Sequence, residues 1–232
     1  DARRFIDKKT EPGKVSGANV SVRIDDEFMN AVKADTDYIQ TFPLGLDISD
    51  MNLNGNLEYD TLYNVEGGYV KKVKAKQLWD KIILNAYNAA EPGILFWDTI
   101  KRESIASCYG KEWEETSTNP CGEIPLNPYD SCRLMAINLF SYVVDPFSPN
   151  AYFNFILFKE HVEMFQRLMD DLVDLEIEKL DKIIEKVEKD PESMLIKQIE
   201  LDLWKKVREK AIKGRRTGLG VTAEGDMLAA LG

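Results

Sequence analysis

The sequence predicts an α/β fold that carries a long helical hairpin. Apolar residues alternate with polar ones over residues 19–24, as in a half-buried strand, and recur at helical spacing over residues 73–90. The apolar run at residues 94–97 has the length of a short buried strand. Strands that alternate with helices are typical of α/β domains. The hairpin is predicted at about residues 154–213.

Local signals place the ends of the first elements. Asp25, Asp26 and Glu27 follow the first strand and precede an apolar segment at residues 28–34, and acidic side chains favour a helix start. Pro92 and Gly93 close the helix at residues 73–90. Residues 51–68 are rich in Asn and Gly and predict an irregular excursion.

The hairpin is predicted from an apolar stripe with one break, at Asp190-Pro191-Glu192-Ser193. The stripe of the first helix consists of Phe158, Val162, Phe165, Met169, Leu172, Val173, Ile177, Leu180, Ile184 and Val187. The stripe of the second helix consists of Ile199, Leu203, Val207 and Ile212, and Gly214 is the predicted C-cap. A coiled-coil partner surface is the alternative, but the register does not persist over the ~3 to 4 heptads that it requires.

The motif Asn119-Pro120-Cys121-Gly122-Glu123 sets an amide, a thiol and a carboxylate at every second position. If the segment is extended, as Pro120 favours for the residue before it, these three side chains point to one side. Such a trio suits binding of a hydroxylated substrate and transfer of its proton. The alternative is a structural turn, because Asn-Pro and Cys-Gly are common turn formers and free Cys is often simply buried.

The surrounding sequence resembles the catalytic subunit of ribonucleotide reductase. The likeness covers EPGILFWDTIKRESIASCYGKEWEETSTNPCGEIPLNPYDSCRLMAINLFSYV (91–143), SGANVSVRIDDEFMNAV (16–32) and GRRTGLGVTAEGDMLAALG (214–232). The wording TNPCGE and the eleven-residue spacing of Cys121 and Cys132 are most similar to the adenosylcobalamin-dependent, class II branch. The resemblance implies a ten-stranded α/β barrel with a central active-site finger loop at about residues 119–132. Residues 1–232 would form a part of this barrel.

The resemblance also implies a role for each residue of the motif. Cys121 matches the cysteine that becomes a thiyl radical and takes the hydrogen from C3′ of the ribose. Glu123 matches the base that removes the 3′-hydroxyl proton, and Asn119 matches the amide that binds the ribose and holds the site. Cys132 matches one member of the cysteine pair that supplies two electrons and ends as a disulfide.

Some family features have no match in this sequence. The partner of Cys132 in the redox pair and the loop that binds the nucleotide phosphates are both missing, and Cys108 matches no family role. We therefore expect the sequence to be an internal fragment that is inactive alone. The implied cofactor is adenosylcobalamin, with a radical from a separate metal-containing subunit as the alternative. Further implied partners are a thioredoxin-like reductant, a nucleotide effector bound elsewhere, and a second copy of the full-length enzyme.

Composition narrows the function classes. The chain has 232 residues, of which 44% are hydrophobic, and a net charge of −10 with short basic clusters, which argues against binding of nucleic acid. No segment approaches the ~20 apolar residues of a membrane span. Three cysteines without a close pair predict a reducing, cytoplasmic location rather than a disulfide framework.

Two other signals are assigned structural roles, and two other functions stay open. His161 lacks neighbouring ligands, so helix packing is expected and no metal site is predicted. The glycines at 218, 220 and 225 do not have the spacing of a dinucleotide-binding turn.

One alternative function is an inactive or incomplete module with the reductase fold. The other is a hydrolase or transferase with Cys121 as nucleophile, which normally needs an activating histidine.

Overall fold

A computed structural model describes residues 2–10, 13, 15, 17–49 and 57–232, in two compact units, Asp1–Pro125 and Leu126–Gly232. Both units mix helices and strands, which confirms the α/β class. The helices are α1 (Ala2–Ile6), α2 (Asp26–Ala34), α3 (Ala75–Ala89), α4 (Trp97–Glu103), α5 (Phe155–Lys189), α6 (Met194–Gly214) and α7 (Glu224–Leu231). The strands are β1 (Ser21–Ile24), β2 (Asp37–Phe42), β3 (Leu62–Val65), β4 (Gly68–Lys74), β5 (Gly93–Phe96), β6 (Ser117–Thr118), β7 (Pro125–Leu126), β8 (Arg133–Asn138), β9 (Val143–Val144), β10 (Tyr152–Phe153) and β11 (Thr217–Thr222).

The core of the first unit lies between helices α1, α2 and α3 and the strands β1 and β4. Its buried members are Ile6, Ile24, Phe28, Ala31, Val73, Ala75, Leu78 and Ile82. The amide of Asn85, itself buried, donates to Ile6 O at 3.1 Å and to Asp7 Oδ1 at 3.0 Å. These bonds fasten the start of the chain to α3.

Strands β1 and β5 pair in parallel, with Ser21 opposite Gly93 and Ile24 opposite Phe96. This pairing confirms the two strands predicted at residues 19–24 and 94–97. Helix α2 follows β1 at the predicted place, because the Asp25 carboxylate caps it by accepting from Phe28 N at 2.7 Å. The parallel pair also supports the turn at residues 119–123, through contacts of Arg23 and Leu95.

The predicted excursion at residues 51–68 needs correction where the structure describes it. Residues 51–56 lie outside the described part, whereas Leu62–Val65 forms β3 in an antiparallel sheet with the order β2, β4, β3. The same sheet shortens the predicted helix at residues 73–90. Val73 and Lys74 end β4, where Val73 is buried and pairs with Tyr38, and α3 begins at Ala75.

The second unit is built on the parallel pair of β8 and β11, with Arg133 opposite Thr217 and Asn138 opposite Thr222. Helix α5 packs against both strands and against α6. The predicted stripe of α5 is confirmed: Met169, Val173, Leu180 and Val187 are buried, and the other six stripe residues are half-buried. Helices α5 and α6 therefore form the predicted hairpin.

Two predictions for α6 were wrong. Ile199, Leu203 and Ile212 are exposed, whereas Val207 packs as predicted. The side that packs consists of Leu201, Trp204, Val207 and Ala211. Apolar residues surround most of this helix, so its sequence contains two overlapping stripes and the large Trp204 ring belongs to the one that is covered.

The C-cap of α6 is Arg215 in the left-handed conformation (φ 41°), and Gly214 is still helical. Ion pairs of Arg215 with Asp170 (2.7 Å) and Asp174 (2.8 Å) hold this conformation. The hydrogen bond from Arg215 keeps the pKa of Asp170 below its usual range. Helix α6 therefore ends at an arginine that pairs with two acidic residues of α5, one residue after the glycine predicted as its C-cap.

Among the described residues the sheets contain two or three strands and none closes into a barrel, so the ten-stranded arrangement stays a prediction. Within the same residues, no helix is both long enough and apolar enough to cross a membrane.

Candidate active site

The motif Asn119-Pro120-Cys121-Gly122-Glu123 forms a tight turn between the short strands β6 and β7. Gly122 N donates to Asn119 O at 3.0 Å, which closes the turn. Asn first, Pro second and Gly fourth is the residue pattern of a type I turn, and Gly122 has the positive φ of 87° that glycine adopts without strain. The extended conformation considered for this segment is therefore wrong, because the turn signals outweigh the preference of a residue before proline.

The turn nevertheless brings the amide and the carboxylate together. Asn119 Nδ2 donates directly to Glu123 Oε1, while Asn119 Oδ1 accepts from Ile124 N at 3.0 Å. The backbone of Asn119 also donates to Ile124 O at 3.1 Å. Asn119 and Glu123 thus meet across the base of a hairpin rather than along one side of a strand, and the bond orients one carboxylate oxygen while the other stays available to a ligand.

Cys121 lies at the tip of this turn and its side chain is exposed. The side chain of Asn19 reaches this turn: its Nδ2 lies 3.9 Å from Cys121 Sγ and donates to Pro120 O at 3.1 Å. Sequence reasoning missed Asn19. The available signal was its position inside the matched segment 16–32, directly before a strand.

The β1 and β5 pair supports the turn at two more places. A Cβ atom on Gly122 would lie 3.4 Å from Leu95 Cδ2, so the turn packs closely on β5. Arg23 of β1 donates to Thr116 O at 3.2 Å and stacks over the ring of Trp97, 3.6 Å from its centre. A planar guanidinium that both stacks and donates fixes the strand leading into the turn.

Glu115 anchors the same entry strand from the inside. Its side chain is only 4% exposed, and Ser104 Oγ donates to its Oε1. A buried carboxylate is stable only when it is hydrogen-bonded, so this contact restrains residue 115 and with it the start of the turn. Sequence reasoning did not single out Glu115, because nothing in its neighbourhood marks it as a buried residue of a strongly acidic chain.

Cys132 belongs to the second unit, directly before β8, and is half-buried. Its sulfur lies against Gly218 of the neighbouring strand β11, since a Cβ atom on Gly218 would be 3.3 Å from Cys132 Sγ and 2.6 Å from Leu134 Cδ2. Gly218 therefore provides the space that the thiol occupies. The predicted site residues are thus found on two units: Asn119, Cys121 and Glu123 on one turn, and Cys132 beside a parallel strand pair.

Ion pairs hold the backbone on both sides of Cys132. Arg133 pairs with Glu176 of α5 through Nη2 and Oε1 at 2.6 Å and donates to Arg216 O at 3.1 Å. Arg216 pairs with Asp130 at 2.7 Å, and the Asp130 side chain is only 3% exposed. Ion pairs of this kind are stronger when they are shielded from water. They tie the segment that carries the thiol to α5 and β11.

His161 and Cys108 lie outside the turn and the surroundings of Cys132. His161 Nδ1 lies 3.0 Å from Tyr142 Oη, and its ring packs edge-on against Tyr142 and Phe165. This confirms the expected packing role. Cys108 is exposed in a short 3-10 helix, Ala106–Tyr109, of the first unit.

Comparison with known proteins gives a consistent family. The family model described as ribonucleotide reductase, barrel domain, matches residues 1–232. A vitamin B12-dependent ribonucleoside-diphosphate reductase of Thermoplasma acidophilum is 34% identical over 175 residues, which cover 75% of this chain and 19% of that protein. The protein of the same name from Mycobacterium tuberculosis is 29% identical over 230 residues, 98% of this chain and 25% of its own length.

The likeness extends to a further type of reductase. The ribonucleoside-diphosphate reductase large subunit of Variola virus is 27% identical over 185 residues, which cover 75% of this chain and 23% of the viral protein. The chain spans about a fifth to a quarter of the length of these relatives.

The environment of Gly218 predicts that Gly218→Ala makes the Cys132 thiol more reactive. The added methyl group displaces the sulfur toward solvent, whereas the exposed Leu134 side chain rotates away. Labelling of Cys132 by iodoacetamide, measured by peptide mass spectrometry, should accelerate by about two- to fivefold. Gly225→Ala is the matched control, because nothing lies within 4 Å of a Cβ atom there. Equal labelling rates in both variants would contradict the assigned packing.

Proposed function

Because the chain belongs to the ribonucleotide reductase family, we propose that it forms part of the catalytic barrel of an enzyme that reduces ribonucleoside di- or triphosphates to deoxyribonucleotides. The observation that carries the proposal is the direct hydrogen bond from Asn119 to Glu123, formed across a turn that has Cys121 at its tip. An amide, a carboxylate and an exposed thiol on one tight turn suit binding, deprotonation and hydrogen abstraction at a single ribose.

In the proposed first step, the Cys121 thiyl radical takes the hydrogen atom from C3′ of the ribose and becomes a thiol. Glu123 accepts the proton of the 3′-hydroxyl group. Asn119 holds this carboxylate in place by a hydrogen bond, and the same turn carries the Cys121 sulfur. With the 3′ oxygen deprotonated, the 2′-hydroxyl group takes a proton from one thiol of the pair that includes Cys132 and leaves as water. Glu123 is exposed, and its carboxylate oxygen that does not bind Asn119 is the atom available to accept the proton of the 3′-hydroxyl group.

In the proposed second step, the pair of thiols that includes Cys132 supplies two electrons and its second proton, which goes to C2′, and ends as a disulfide. Glu123 returns its proton to the 3′ oxygen. The thiol of Cys121 then returns a hydrogen atom to C3′, so that the thiyl radical is restored. The net change is one ribonucleotide and one dithiol converted into one deoxyribonucleotide, one disulfide and one water. The half-buried position of Cys132 beside Gly218 suits a thiol that must meet a substrate yet stay shielded from stray oxidants.

The cofactor we propose is adenosylcobalamin. The relatives from Thermoplasma acidophilum and Mycobacterium tuberculosis are named vitamin B12-dependent reductases. When bound, it supplies the radical that takes the hydrogen atom from the Cys121 thiol. The exposed position of Cys121 at the tip of its turn fits access by such a group. A separate metal-containing subunit as radical source is the alternative.

The proposed setting is the full-length protein. There the turn is expected to be the finger loop inside a ten-stranded barrel, where shielding from water protects a radical. A thioredoxin-like reductant would reduce the disulfide that includes Cys132, a nucleotide effector would bind outside residues 1–232, and two copies would form a homodimer. A reducing compartment, the cytoplasm, suits this thiol chemistry.

The three cysteines provide the first test in the full-length protein. We expect Cys121→Ser and Cys132→Ser to abolish deoxynucleotide formation, because serine neither forms a thiyl-type radical nor donates electrons as a thiol pair does. Cys108→Ser is the matched control and should keep activity within about twofold of the wild type, since Cys108 has no step in the proposed reaction. The measurement is deoxynucleotide product per enzyme with each variant. Full activity of Cys121→Ser would disprove the proposal.

The radical source provides a second test. The full-length protein with adenosylcobalamin, a dithiol reductant and no second subunit should convert a ribonucleotide into a deoxyribonucleotide. Chromatographic separation of the product is the measurement, and the same mixture without adenosylcobalamin is the control. Activity that appears only after a metal-containing partner subunit is added would overturn the cofactor assignment while leaving the reductase chemistry in place.

A further inference from the structure

Asn19 is the one polar side chain outside the active-site turn that reaches both the backbone and the sulfur at its tip, within the described residues of the first unit. Its backbone position is fixed. Val20, the next residue, is buried, and Val20 O accepts from Gly93 N at 2.8 Å, which continues the pairing of β1 and β5. The Asn19 side chain therefore extends from a rigid strand end toward the turn.

A single amide nitrogen makes both contacts. Asn19 Nδ2 donates to Pro120 O at 3.1 Å and lies 3.9 Å from Cys121 Sγ. Pro120 O is a backbone carbonyl and accepts only, so the side-chain atom that faces it must be the amide NH₂ group. That group has two hydrogens, one for the carbonyl and one directed to the sulfur.

These contacts meet a need that the turn cannot meet alone. The hydrogen bond from Gly122 N to Asn119 O and the bonds of Asn119 restrain the base of the turn, whereas Pro120 and Cys121 occupy its exposed middle. An exposed cysteine otherwise samples several side-chain rotamers. Hydrogen abstraction requires the sulfur in a narrow range of positions, and a misplacement of about 1 Å costs about 100-fold in rate.

We propose that Asn19 is a positioning residue, which holds the tip of the turn and directs the Cys121 sulfur toward the substrate. This inference rests on the proposed function. Asn19 takes no part in proton or electron transfer. It acts through Cys121, from a position just before β1 and 102 residues earlier in the chain.

The test uses Asn19→Asp and Asn19→Ala in the full-length protein. Asn19→Asp keeps the size of the side chain but replaces the donor with a carboxylate, while Asn19→Ala removes the side chain without adding charge. For both, kcat should fall by about 10- to 100-fold with KM changed by less than about threefold, because the orientation of the reacting atom is lost and nucleotide binding is not.

A second readout follows the sulfur itself. In Asn19→Asp, iodoacetamide labelling of Cys121 should slow by at least about threefold, because a carboxylate beside the sulfur disfavours the reactive thiolate. Peptide mass spectrometry gives this rate for Cys121 separately from the other cysteines. A merely structural role for Asn19 would change the labelling of Cys121, Cys108 and Cys132 together, and we expect the last two to stay unchanged.

Asn30→Asp is the matched control, an exposed asparagine on α2 of the same unit that gains the same charge. It should keep wild-type kcat and wild-type labelling of Cys121. If Asn19→Asp and Asn19→Ala behave like this control while Cys121→Ser is inactive, the role of Asn19 is disproved and the proposed function stands. If Cys121→Ser is itself active, the proposed function fails instead.

Discussion

The hydrogen bond between Asn119 and Glu123 is the contact on which the proposed chemistry depends. It joins the first and last residues of a five-residue motif and so requires the chain between them to turn. Pro120 and Gly122 make that turn easy to form, and Cys121 is left at its tip. A sulfur, an amide and a carboxylate are thereby gathered by local geometry, without long-range packing of the three residues themselves.

Long-range packing determines where this turn sits. The parallel strands β1 and β5 contact it through Asn19, Arg23 and Leu95, and each contact reaches a different part of the segment. The second unit shows the same arrangement around Cys132, which directly precedes β8 and faces a glycine of the neighbouring strand β11. In both units, a cysteine of the proposed reaction lies on a loop next to a parallel strand pair, an arrangement that is common where precise positioning is needed.

The sequence predicted the elements with strong periodicity and missed features that depend on tertiary contacts. The long helix α5 and the capped start of α2 were predicted correctly because their signals are local. The exposed side of α6 was predicted wrongly because two apolar stripes overlap on one helix, and only packing selects between them. Asn19 escaped notice for a related reason, since nothing in its own neighbourhood tells which residue it will meet about a hundred positions later. The roles of Asn119, Cys121, Glu123 and Cys132 came from resemblance to a family rather than from spacing.

The most direct test of the central claim is the rate of product formation from a ribonucleotide that carries deuterium at C3′, measured in a single turnover of the full-length protein. If the Cys121 sulfur removes that hydrogen, the deuterated substrate reacts more slowly than the ordinary one. Deuterium at C2′ should have no comparable effect, because the bond to that hydrogen is not broken in the abstraction step. Equal single-turnover rates for the C3′-labelled and unlabelled substrates would contradict the account.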